Sequence, residues 1–83
     1  GGDPDERLVI QMQYALLEAG HQIGRPDGVW GPKAREAAKK IQASIGHPPT
    51  GWLTATQLVY LQQRNAGARP APPRLDPNEP VFD

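Results

Sequence analysis

The chain has 83 residues, with nine basic and nine acidic side chains, two histidines, five aromatics, ten prolines and no cysteine. It is one small domain at most, and a chain of this size buries only roughly 60 % of the surface its unfolded form exposes, so recognition falls to the surface rather than to a deep cofactor cavity. The missing cysteines exclude a disulfide framework and a thiolate metal site, two histidines fall short of an ordinary zinc ligand set, and a net charge of zero argues against nonspecific binding of nucleic acid or anionic membrane.

Asp3-Pro4-Asp5-Glu6 has the form of a helix start, with Asp3 as cap, Pro4 at the first helical position and Glu6 three residues after the cap. Val9, Met12, Leu16 and Ala19 then recur at steps of three and four, Leu8 and Ala15 widen that stripe, and Gly20 supplies the stop. Leu8 to Leu17 is the longest mainly apolar stretch; Gln11 and Gln13 interrupt it, and it is too short to span a bilayer. Ile10, Tyr14 and Leu17 form a second apolar face on the same helix, which must meet another part of the chain, a partner or water.

A glycine-rich loop, His21 to Gly31, follows, in which Asp27 can lock the Asp27-Gly28 turn. Gly31-Pro32 opens a second helix whose stripe is Ala34, Ala37, Ala38, Ile41 and Ile45, ended by Gly46 and Pro48-Pro49. Its other side carries Lys33, Arg35, Lys39 and Lys40 against Glu36, the pattern of a solvated face with one or two ion pairs. Thr54 caps a third helix from Ala55 to about Arg64, with Leu58 and Leu61 inward.

Asp27-Gly28-Val29-Trp30-Gly31 before the second helix and Thr50-Gly51-Trp52-Leu53-Thr54 before the third are an internal echo. In each, a polar residue and glycine make the turn, an apolar residue two after glycine plugs the core, and a small residue opens the helix. The expected fold is all-α: a compact three-helix bundle over residues 1–65, followed at 66–83 by a Pro-rich, extended linker or tail. Val81-Phe82 is the apolar exception in that tail.

The series Val9, Met12, Gln13, Leu16, Gly20, Gly24, Asp27, Gly28, Trp30, Gly31, Pro32, Ala37, Ile41, Gln42, Thr50, Gly51 and Leu53 resembles, in unbroken spacing, the peptidoglycan-binding-like domain. That family occurs beside bacterial cell-wall hydrolases and, in related form, in matrix metalloproteinase propeptides. The resemblance covers about residues 7 to 62. His21 replaces the family's aromatic after the helix-one glycine, Trp30 its phenylalanine, and Ala34 and Gln57 its two threonines. The metalloproteinase branch places a cysteine switch after the domain, and 66–83 holds no cysteine. The resemblance therefore implies the bacterial branch: a peptidoglycan or muropeptide partner, an exported protein of the periplasm or cell envelope, and an attached catalytic domain or envelope protein beyond this segment.

The residues give little to catalysis. Asp27 reads as a turn lock, His21 and His47 lie in different loops, and Ser44 has no evident base, so a non-enzyme without cofactor or metal is expected. Binding to glycan or stem peptide needs aromatic faces, amide partners and cations. Trp52 is the leading candidate, either directed away from the core or lying flat as a lid over neighbouring helices. His21, Gln22, Arg25, Asp27, Gln57 and Tyr60 are the polar groups expected around it, with Arg25 suited to a carboxylate. The competing expectation is a protein-docking module that uses Ile10, Tyr14 and Leu17.

Overall fold

The computed structural model describes residues 4–73, so Asp3 and Val81-Phe82 lie outside the described residues. Three helices, α1 (Pro4–Glu18), α2 (Pro32–Ser44) and α3 (Ala55–Asn65), form an all-α globule in which α1 packs against both of the others. Pro32 sits in the first turn of α2 after Gly31, and Thr54 caps α3. Both starts are where the sequence puts them, because a missing amide costs nothing in a first turn and a threonine hydroxyl can take an orphan N–H.

The stops share one geometry. At the end of α1 the Gly20 amide donates to Leu17 O and the His21 amide to Leu16 O, and the same pair of bonds recurs at Gly46-His47 and Gly67-Ala68. This is the Schellman arrangement, which satisfies carbonyls the helix leaves open. Ala19, expected on the buried stripe, is exposed, because α1 has already ended at Glu18.

Met12, Leu16, Ala37, Ala38, Ile41, Leu58 and Leu61 build the core, and Trp30 and Leu53 plug it from the two turns. Each plug stands two residues after a glycine at φ +85°, Gly28 and Gly51, where an L side chain would be strained.

Both turns are held by a buried glutamine from the preceding helix. Gln13 Oε1 accepts from Gly28 N at 3.0 Å while its Nε2 donates to Val29 O at 2.9 Å. Gln42 Oε1 accepts from Gly51 N at 2.9 Å while its Nε2 donates to Trp52 O at 2.7 Å. The short polar residue before each glycine completes the clamp: Asp27 Oδ1 accepts from Val29 N at 2.9 Å, and Thr50 Oγ1 accepts from Trp52 N at 3.2 Å. The echo in sequence is thus a repeated device, one that fixes the entry to each following helix with side-chain bonds a loop cannot supply to itself. Trp30 Nε1–H, donating to Gly51 O at 2.6 Å, ties the two devices together.

Beyond α3 the chain runs back, and Pro73 O accepts from His47 Nε2 at 2.8 Å.

Candidate functional site

The residues grouped by sequence around Trp52 occupy three separate places. Gln57 is buried, 3 % exposed, and its side chain is spent. Its Oε1 accepts from Thr54 N at 2.9 Å and from Gln42 Nε2 at 3.0 Å, which leaves Nε2 to donate to His47 Nδ1 at 2.9 Å. That order makes His47 the Nε2–H tautomer, the form that donates to Pro73. Thr54 and Gln57 form a capping box, and the Thr-x-x-Gln spacing was the sequence signal for it. Gln57 therefore fixes the start of α3, with its amide bonded to Thr54, Gln42 and His47.

Tyr60 is also buried, with the Arg64 guanidinium 5.7 Å from its ring centre, and it borders a separate hollow of about 340 Å³ with Val59 and Pro73. Trp52 lies half-buried as a lid. It stacks on Trp30 with ring centres 5.9 Å apart and planes at 26°, and Arg35 stands 5.7 Å from its ring centre. Its π surface is already engaged by protein groups.

His21, Gln22, Arg25 and Asp27 do share a feature. Three adjoining cavities run along the loop and the side of α2. The first, about 320 Å³, lies between His21, Lys40, Ser44 and Arg64. The second, about 290 Å³, shares His21 and Lys40 with it and extends past Gln22 and Glu36 to Lys33 and Pro32. The third, about 410 Å³, shares Ile23, Pro32 and Lys33 with the second and ends at Arg25 and Asp27. They form one shallow trough with half-buried Ile23 packed against the core between them. Lys33 and Lys40, read from sequence as part of a solvated face, line it; only the loop's path against α2 brings them opposite His21.

Within the trough Asp27 is structural. Its carboxylate is held below its ordinary value of 3.8, first by the Val29 amide and further by Gln13 and the positive charge of Arg25. A carboxylate so lowered contributes its stability fully above that value and loses it as the pH falls from 3.8 through the native pKa. Asp27→Ala is therefore expected to be less stable than the wild type by a constant margin above about pH 5, with the margin closing in more acidic solution. Urea midpoints across the acid range check this, and a margin that does not change with pH would remove the carboxylate's charge from the account of the turn.

On α1, Tyr14 is 55 % exposed between half-buried Ile10 and Leu17. No group of three or more metal-ligating side chains occurs among the described residues, and none of the described helices is long and apolar enough to cross a membrane.

A family model described as "Putative peptidoglycan binding domain" matches residues 5–61, well over half of the chain. No curated protein and no solved structure gives a significant match.

Proposed function

The chain belongs to the peptidoglycan-binding domain family, and from that premise we propose that it is a non-catalytic targeting domain of a larger, exported bacterial protein. It holds an attached catalytic or structural part against peptidoglycan in the periplasm or cell envelope by noncovalent binding. The family membership carries the reading, and the trough beside the glycine-rich loop supports it with a recognition surface of the right kind. His21, Gln22 and Arg25 are the loop groups that contact muropeptide there, while Asp27 keeps the loop in shape.

Asp27, His47 and Ser44 are committed to structure, which supports a binding role over a catalytic one. Asp27 locks a turn, His47 bridges Gln57 and Pro73, and the Ser44 hydroxyl donates to Ile41 O at 2.6 Å. None of these pairs a nucleophile with a base.

Co-sedimentation of the purified chain with insoluble peptidoglycan is the direct test. Saturable retention is expected, with muropeptide-induced amide shifts concentrated on His21 to Asp27. Absence of retention would sink the wall-targeting reading. The exposure of Tyr14 between Ile10 and Leu17 favours a second reading, a protein-docking module, for which Tyr14→Ala with Leu17→Ser would abolish a partner complex and leave sedimentation unchanged.

A further inference from the structure

Peptidoglycan offers two chemistries, a glycan strand of largely neutral amino sugars and short stem peptides with free carboxylates. Proteins meet the first with open aromatic faces and the second with cations. The trough has the equipment for the second. None of its lining residues is Trp, Tyr or Phe, and Trp52, the aromatic best placed by sequence for a sugar, is engaged by Trp30 and Arg35 on another part of the surface.

The charges along the trough are unequal. Arg64, Lys40, Lys33 and Arg25 line it, with Glu36 and Asp27 as the carboxylates. Asp27 Oδ1 is occupied by the Val29 amide and the Gln13 side chain, and Glu36 pairs with Lys39 at 3.5 Å. Lys33 and Lys40 have no partner of their own among the described residues. Seven residues apart on α2, they stand on one side of the helix at about 10 Å spacing along its axis, which suits two carboxylates of an extended peptide and exceeds what one carboxylate spans.

We propose that the trough binds the stem peptide of peptidoglycan through its carboxylates, with Lys33 and Lys40 as the principal contacts, and that the glycan strand is not read there. The inference rests on the wall-binding reading and narrows its ligand to an anionic peptide.

The test compares the wild type, the double variant Lys33→Gln with Lys40→Gln, and Glu36→Gln. Each is titrated with a free tetrapeptide stem containing diaminopimelate, titrated with peptide-free glycan strands, and sedimented with intact sacculi. All three substitutions are on exposed or half-exposed positions, and unchanged helical circular dichroism verifies the fold. The wild type is expected to bind the tetrapeptide in a salt-sensitive manner, with amide shifts at His21 and along Lys33 to Lys40. The double variant is expected to bind roughly fivefold more weakly with a flatter salt dependence, and Glu36→Gln about twofold more tightly. Retention on sacculi with tetrapeptide affinity unchanged in the double variant, or with shifts produced by glycan alone, would overturn the inference and leave wall binding standing. Failure of the wild type to sediment with sacculi would overturn both.

Discussion

Trp30→Ala is expected to remove about half of the chain's stability at room temperature. Removing a buried tryptophan costs about 3–5 kcal/mol through lost transfer energy and an unfilled hole, while a domain of this length holds on the order of 5–10 kcal/mol in all. Trp30 is 8 % exposed, packs in the core cluster, carries the Trp52 lid on its face and donates its indole N–H to Gly51 O at 2.6 Å. Trp30→Phe separates these contributions. It keeps an aromatic plug but leaves the carbonyl of buried Gly51 without that donor, an expected loss of about 1–2 kcal/mol. Urea denaturation of both variants decides the matter: equal losses would mean that the hydrogen bond, not the packing, is the larger part of what Trp30 does.

Gln42→Ala is expected to cost about 3 kcal/mol or more, although a solvent-exposed glutamine on a helix is replaced by alanine at almost no cost. Gln42 is 1 % exposed, and its amide is the meeting point of α2, the Thr50-Gly51 turn and the α3 cap. Without it the Gly51 N–H loses its partner, and the Trp52 carbonyl and Gln57 Oε1 each lose one of two donors. Gln42→Leu fills most of the space and is expected to recover little, since the penalty comes from polar groups left unsatisfied rather than from volume. The same change at Gln13 is expected to be milder, because its bonds to the Asp27-Gly28 turn are only part-buried and water can replace them. A Gln42→Ala variant that unfolds at the wild-type urea midpoint would show that the turn is held by other means.

Much of this architecture is legible in the chain. Pro32 and Thr54 mark helix starts, Gly20, Gly46 and Gly67 mark stops, and the spacing of Met12, Leu16, Leu58 and Leu61 marks the core. These depend on bonds and contacts within a few residues, so periodicity and capping chemistry suffice to read them. The repeated turn was legible as a pattern too, with Trp30 and Leu53 the plugs it implies. The buried clamps were not, although Met12-Gln13 and Ile41-Gln42 carry the same apolar-then-glutamine pair ahead of each turn. A polar residue beside a stripe position looks solvated until a backbone amide from elsewhere is brought to it.

The candidate site shows the same division. The loop residues His21, Gln22, Arg25 and Asp27 lie along one trough, which Trp52, the residue they were expected to surround, does not line. Gln57 and Tyr60 do not join them, since Gln57 closes a capping box and Tyr60 packs beneath Arg64. By itself the sequence determined the three helices, their ends, the plugs and the family, because each is written in local spacing. Only the tertiary structure decided that Trp52 is a lid stacked on Trp30, and that Lys33 and Lys40 face His21 across a trough. The physical reason is that a side chain's job is set by what lies opposite it, and that depends on the path of the loop and the angle at which helices pack.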